Sequence, residues 1–140
     1  MGYDIHGTWY AANPDGTFDT LDLGTDANDA DLADLGRSAE LFTLFGWTRS
    51  PLPLPPLPQT DVPAVLRRPP FPEAPMQGCV TLTDLLAYDY EAEVWQTQKT
   101  YAFGEVSPVS SATWWLRRRT LPRVSELAAG RAVYFAYVVA

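Results

Sequence analysis

The chain has 140 residues, 46% of them hydrophobic, and a net charge of −7. This length fits a single domain, 1–140, and the apolar content excludes an intrinsically disordered chain. The lone cysteine, Cys79, excludes an internal disulfide, and the longest apolar run, 132–140, is shorter than the about 20 residues of a membrane helix. No secretory signal pattern opens the sequence. We therefore expect a folded cytoplasmic protein that does not span a membrane.

The first segment, 3–11, alternates between apolar and polar positions, which predicts a half-buried β-strand. Ile5 and Trp9 fall on its apolar side, and Asp4 and His6, the only histidine, fall on its polar side. Neighbours two residues apart in a strand lie roughly 7 Å apart and point the same way. The Asp4 carboxylate and the His6 imidazole could therefore contact one shared ligand.

A hairpin and a short helix are predicted next. The turn sequence 13–16, Asn-Pro-Asp-Gly, precedes a second alternating stretch, 17–23, and this combination is typical of a β-hairpin. In 38–46, Ser38 can cap a helix whose apolar residues follow i, i+4 spacing, and Gly46 can end it.

A proline-rich excursion over 50–79 interrupts the domain, and 51–75 holds ten of the thirteen prolines. Neither a helix nor a central strand can form where prolines are this frequent, so an extended, polyproline II-like segment is expected. Its leucines favour a surface loop packed on the domain. The other interpretation is an arm that docks in an aromatic groove of a partner.

Two more helices are predicted in the second half of the chain. Hydroxyl and acidic residues begin the segment 81–88, where Thr81 or Thr83 can provide the cap. The other helix covers 121–129, because Pro122 stands near its start and a glycine follows its end.

The remaining segments favour strands. Residues 93–103 are rich in β-branched and aromatic side chains, 113–119 fit either a strand or a helix, and 133–139 form a continuous β-prone run. Such a run is typical of a central strand covered on both faces. We predict an α+β fold with a small, mostly antiparallel or mixed sheet, its N- and C-terminal strands central, three short helices and a long proline-rich loop.

The opening residues, Met1-Gly2-Tyr3-Asp4-Ile5-His6, resemble a group of small uncharacterised phage and prophage proteins. These proteins begin Met-Gly-Cys-Asp-Ile-His and carry a glutamate four residues after the histidine. The likeness continues at Arg37 before Leu41-Phe42, at 81–89, and at an arginine before the aromatic 132–138 stretch. The resemblance implies a shared fold and no specific activity.

This chain departs from the group at its acidic positions. Tyr10 stands where the group has its glutamate, and Tyr137 stands at the aspartate of its terminal Phe-Asp-Asn. If those acids once formed a cluster with Asp4 and His6, only two ligands remain, whereas a catalytic zinc site uses three and a water. We therefore expect no metal and no cofactor, and the sequence favours a non-catalytic protein over an enzyme.

Two catalytic interpretations of the opening strand stay open beside this one. The string Asp4-Ile5-His6-Gly7 resembles the Asp-x-His-Gly motif of metallophosphoesterases, but that chemistry requires several histidines. Asp4 with His6 could also act as a bare acid/base pair, since a carboxylate can hold an imidazole charged near neutral pH. The alternative function is thus a small hydrolase or a nucleotide-acting enzyme.

A cluster of tryptophans and arginines at 114–119 is the other candidate site. In a strand, Trp115, Arg117 and Arg119 would share one face, which suits base stacking and phosphate contact. The negative net charge argues against nucleic acid as the partner. Since Trp, Tyr and Arg dominate protein interfaces, protein binding is favoured. The candidate binding residues are Tyr10, Trp47, Trp114, Trp115, Arg117 and Arg119.

Charge is also uneven along the chain. Residues 1–61 hold ten acids and two bases, a net −8, and 62–140 hold seven acids and eight bases, a net +1. The acidic half is either an ordinary solvated surface or an imitation of nucleic acid that occupies a basic groove. We expect a non-catalytic phage- or prophage-type accessory protein that binds a host or viral protein, with inhibition of a defence system as one such role.

Overall fold

The computed structural model describes residues 4–25, 31–33, 35, 39–46, 56–67, 76–90 and 116–139. These residues form an α+β fold in which short helices pack on one face of a four-stranded sheet. Within them, no helix combines the length and apolar character needed to cross a bilayer. The strands are β1 (Ile5–Ala12), β2 (Phe18–Thr20), β3 (Met76–Thr81) and β4 (Val133–Val139), and the helices are α1 (Ala39–Leu44), α2 (Leu82–Ala87) and α3 (Leu121–Ala128).

The sheet has the strand order β2-β1-β4-β3, and every neighbouring pair is antiparallel. The N-terminal and C-terminal strands therefore pair in the middle, as predicted, with Ile5 opposite Val139 and Ala11 opposite Val133. The predicted α+β class is confirmed. The strand predicted over 93–103 lies outside the described residues.

The predicted hairpin joins β1 to β2. The Asn13 amide donates to Thr17 O at 2.8 Å, and the Asp15 carboxylate accepts from the Thr17 amide at 3.0 Å. Gly16 has φ +86°, a conformation that glycine adopts without a steric penalty. Strand β2 is shorter than the alternating stretch 17–23 because its pairing with β1 covers three residues.

The inner face of the sheet meets the helices in the hydrophobic core. Trp9, Phe45 and Phe135 are at most 1% exposed, and the rings of Trp9 and Phe135 lie 4.3 Å apart between centroids. Burying an apolar side chain of this size contributes roughly 1.5–3 kcal/mol to stability. Ile5 and Trp9 are buried in this core and His6 is exposed on the opposite face, as the alternation predicted, but Tyr10, on the same face as His6, is 6% exposed.

The prediction that the last strand is covered on both faces is wrong. In β4, Phe135 and Tyr137 are buried, whereas the intervening Tyr134, Ala136 and Val138 are only partly buried. The helices of the described residues pack against the inner face, and the β4 residues on the opposite face keep part of their surface exposed. We call the side of the sheet that carries these partly buried residues the outer face.

The helix ends follow the sequence signals. The Thr81 hydroxyl accepts from the Asp84 amide at 3.1 Å and caps α2, which selects Thr81 over Thr83. Helix α3 ends where Ala129 and Gly130 adopt left-handed backbone, with φ of 50° and 82°.

The strand alternative for 113–119 is wrong over the described part of that segment. Leu116–Thr120 form a π-helical turn that leads directly into α3. Arg117 and Arg119 therefore do not share a strand face, as base stacking in a strand would need.

The proline-rich excursion ends earlier than 79, because Met76–Thr81 form β3. This stretch contains no proline, so its amides can take part in a ladder. Within the excursion the structure also describes 56–67, where Leu57 is 2% exposed and its amide donates to Leu44 O at 2.8 Å. This described part of the excursion packs on the domain.

Candidate functional site

A cavity of about 750 Å³ lies between the outer face of the sheet and the segment 59–67. We call it the outer cavity. Its volume falls within the range of roughly 300–1,000 Å³ that is usual for ligand pockets. The residues that line it are His6, Gly7, Thr8, Tyr10, Gln59, Thr60, Asp61, Val62, Leu66, Arg67, Gln77, Gly78, Cys79, Ala136, Tyr137 and Val138.

The floor of the outer cavity is a row of small side chains across three strands. Thr8 pairs with Ala136, and Ala136 pairs with Cys79 on its other side. Alternation of side chains along a strand directs all three to the outer face. Because the central residue is an alanine, the row forms a depression on the surface of the sheet.

Gln59 fixes the wall segment 59–67 to the sheet. Its side-chain Oε1 accepts from the Cys79 amide at 3.3 Å, and its Nε2 donates to Phe45 O at 3.3 Å. The adjacent Thr60 amide donates to Cys79 O at 2.8 Å, so the wall follows the free edge of β3. The start of the wall is therefore fixed to both the sheet and the end of α1.

Tyr137 of β4 contacts the same two groups, Gln59 and the Phe45 carbonyl, and with them forms the anchor of the wall. Its hydroxyl donates to Phe45 O at 2.7 Å and lies 3.1 Å from Gln59 Oε1. Burial raises the pKa of Tyr137 to about 12, and the hydrogen bond with Gln59 only partly opposes this rise. A Cβ on Gly78 would approach Gln59 Oε1 and the Tyr137 hydroxyl to 2.5 Å, so this close contact requires glycine.

Arg67 stands at the far end of the wall, after the 3-10 turn Ala64–Leu66. Its Nε donates to Val62 O at 3.1 Å, which orients the guanidinium across the turn. In the described part of the chain, Nη1 and Nη2 make no hydrogen bond and no ion pair. These two donors are available to a ligand.

Other polar side chains face the outer cavity without a partner among the described residues. They include His6 and Thr8 from β1, Asp61 from the wall and Gln77 from β3. Together with Arg67 they offer hydrogen-bond donors and acceptors around an uncharged floor. A few polar groups around a mostly apolar concave surface are typical of a binding site.

The two residues of the candidate catalytic pair differ in exposure and in their relation to the outer cavity. His6 is exposed and lines the outer cavity, whereas Asp4, the residue before β1, is partly buried and is not one of the lining residues. Tyr10, a candidate binding residue, also lines the cavity but is only 6% exposed.

Arg117 and Arg119, two further candidate binding residues, do not line the outer cavity. Arg117 lies over the ring of Tyr90, with Cζ 5.3 Å from the centroid, and Arg119 is exposed in the same helical turn. Burial raises the pKa of Tyr90 above its usual value, and the charge of Arg117 opposes that rise. The remaining three, Trp47, Trp114 and Trp115, lie outside the described residues.

Sequence reasoning missed most of the outer cavity. Asp61 and Arg67 lie inside the proline-rich excursion, where they resembled ordinary loop charges. The absence of proline from 76–81 and the β-branched residues Val80 and Thr81 are signals that could have revealed β3. Burial raises the pKa of the Cys79 thiol, which keeps it protonated near neutral pH and therefore a weak nucleophile.

Within the described ranges, no three His, Cys, Asp or Glu side chains are grouped so that they could hold a metal ion. Comparison of the chain with protein-family models, with curated proteins and with solved structures gave no match.

Proposed function

We propose that this protein is a non-catalytic accessory protein that binds a host or viral protein through the outer cavity. Its opening residues resemble phage and prophage proteins, so the proposed place of action is the cytoplasm of a host cell. Inhibition of a defence system is one consequence of such binding.

The observation that carries this proposal is the contrast between the floor and the rim of the outer cavity. His6, Thr8, Asp61 and Gln77 line the cavity without partners in the described chain, and Arg67 keeps Nη1 and Nη2 unpaired. The central residue of the floor, Ala136, is small and apolar. Each unpaired group can form a hydrogen bond with a bound molecule, and the floor can be covered by an apolar group.

A protein partner is favoured over a small ligand because the apolar surface extends beyond the cavity. Val65 lies in the same turn as the lining residue Leu66 and is 71% exposed. Large exposed apolar residues beside a polar rim are typical of protein-binding surfaces. A protein would cover both the cavity and Val65, whereas a ligand confined to the cavity would leave Val65 in water.

One observation favours the alternative function, a small hydrolase or nucleotide-acting enzyme. His6 lies in a concave site with Asp61 and Thr8, and its imidazole has no hydrogen-bond partner in the described chain. An imidazole in such a place can transfer protons near neutral pH. Asp4, two residues before His6, would be its second group in that reaction.

The binding proposal is tested by purifying the tagged protein with its cross-linked partners and identifying them by mass spectrometry. Ala136→Trp fills the floor of the outer cavity, and Ser125→Trp adds the same side chain to an exposed position of α3. We expect the wild type and Ser125→Trp to retain a stoichiometric partner and Ala136→Trp to lose it. Circular dichroism and thermal unfolding establish that both variants are folded.

A partner that remains bound to folded Ala136→Trp would overturn the proposal, as would a wild type that recovers no stoichiometric partner. The enzymatic alternative is tested with His6→Ala. If this variant retains the biological phenotype and the hydrolysis of nucleotide and phosphoester substrates is unchanged, the alternative is excluded.

A further inference from the structure

The charges of the outer cavity lie on one side of it. Asp61 and Arg67 both belong to the wall segment 59–67 and form no ion pair with each other, while the floor around Ala136 is uncharged. Val62 and Leu66 stand beside Arg67 on the same wall. A bound group therefore meets a cation and an apolar surface next to each other.

The geometry of the Arg67 guanidinium suits an anion with two oxygens side by side. The bond from Nε to Val62 O fixes the plane of the guanidinium, and Nη1 and Nη2 remain as two parallel donors. A guanidinium with two free donors matches the two oxygens of a carboxylate. His6, which also lines the cavity, can add a third donor.

We propose that the outer cavity binds the free C-terminal end of the partner protein. The terminal carboxylate binds Arg67, and an apolar last side chain covers Ala136 and Val138. This inference rests on the proposed function and adds the chemistry of the partner to it. Capture of a chain terminus is a recurring mode of peptide recognition.

A chain terminus fits this arrangement better than an internal acidic residue. At a C-terminus, the carboxylate and the last side chain share one Cα, so the anion and the apolar group arrive side by side. An internal Asp or Glu carries its carboxylate at the end of its own side chain and continues the backbone in both directions. With a C-terminus bound at Arg67, the backbone amides of the residues that precede it would meet Asp61 and Gln77, which have no partner in the described chain.

The probe is a library of short peptides with varied sequences, displayed once with free C-termini and once with amidated C-termini. Binding of the purified wild type is compared with that of Arg67→Ala, Arg67→Lys and the control Arg118→Ala. Arg118 is exposed and does not line the cavity, so its replacement removes the same charge elsewhere.

We expect the wild type to select free C-termini that end in an apolar residue and to lose about tenfold or more in affinity when the same peptides are amidated. Arg67→Ala should show the same loss, Arg118→Ala should bind as the wild type does, and Arg67→Lys should recover only part of the affinity because an ammonium cannot form the paired contact.

Failure of the inference is distinguishable from failure of the proposed function. Peptides that bind equally well when amidated, or that bind Arg67→Ala unchanged, overturn the C-terminal assignment while leaving a binding role of the cavity intact. A library that yields no binding peptide also overturns the C-terminal assignment. The proposed function itself fails only if folded Ala136→Trp keeps the cross-linked partner or if the wild type has none.

Discussion

Two arginines, the partly buried Arg131 and the exposed Arg67, are used in opposite ways. The Arg131 guanidinium donates to Ala128 O, Leu127 O, Asn13 Oδ1 and Asp19 Oδ2, at 2.6 to 3.1 Å. Among the described residues, the Arg67 side chain makes one hydrogen bond, from Nε to Val62 O. Arg131 joins the end of α3 to the β1–β2 hairpin. Arg67 keeps Nη1 and Nη2 without a partner in the described chain.

The difference separates a polar cluster that stabilises the fold from one that can bind another molecule. The carbonyl groups at the end of a helix have no partner within the helix, and Arg131 satisfies two of them. Arg131, the arginine before the last strand, therefore has a structural role in this fold. In the outer cavity, water or a ligand must satisfy the polar groups instead.

The largest expected effect comes from Gly78→Val, which acts on the anchor between the sheet and the cavity wall. The new side chain overlaps Gln59 Oε1 and the Tyr137 hydroxyl, so we expect a loss of about 1–3 kcal/mol in the free energy of unfolding. Urea denaturation measures this loss. Partner binding should fall as well, because the wall loses its attachment. Gly24→Val is the control and should leave partner binding intact. Gly24 lies at a turn with φ +69°, and a Cβ there would meet open space.

Replacement of the two arginines tests the comparison directly. We expect Arg131→Ala to lower the free energy of unfolding by about 2 kcal/mol, because several hydrogen bonds to a charged donor disappear together. Arg67→Ala should change it by no more than about 0.5 kcal/mol, since this residue is exposed. Urea denaturation of both variants measures the difference. Equal losses would show that the two clusters do not differ in structural role.

Tyr137→Phe removes the hydroxyl of the anchor and keeps the ring. We expect a loss of about 1 kcal/mol in the free energy of unfolding. Because the folded-state pKa is raised from 10.0 to about 12, the hydroxyl contributes stability that is present below pH 10 and is lost as the pH rises towards 12. Chemical denaturation between pH 9 and pH 12 should therefore show that the free energy of unfolding declines less steeply with pH in the variant than in the wild type. A decline as steep as that of the wild type would contradict the assignment.

The smallest expected effect belongs to Asp19. The hydrogen bond from Arg131, with a smaller contribution from Asn13, lowers the pKa of this carboxyl below 3.8. Its contribution to stability is therefore present above pH 3.8 and is lost as the pH falls through the lowered value. When the free energy of unfolding is measured by urea denaturation at decreasing pH, we expect Asp19→Asn to lose slightly less of it at acid pH than the wild type does. Asp22→Asn, at an exposed position away from Arg131, serves as the control.

Local sequence patterns were sufficient for several elements of the fold. The hairpin turn at 13–16, the Thr81 cap and the glycine after α3 each depend on contacts within a few residues, so they could be read along the chain. The central position of the first and last strands was also predicted, because their apolar alternation and β-prone composition indicate burial.

The outer cavity needed the tertiary structure. Its floor joins Thr8, Cys79 and Ala136, which are far apart in sequence and meet only through strand pairing. Even the half-exposed state of β4 depends on which face the helices cover, a choice that the uniform apolar composition of 133–139 does not encode. The α+β elements could be predicted because short-range hydrogen bonding and hydrophobic periodicity act within a few residues. Which polar groups satisfy one another, and which remain for a partner, follows from contacts between distant segments and is visible only in the folded chain.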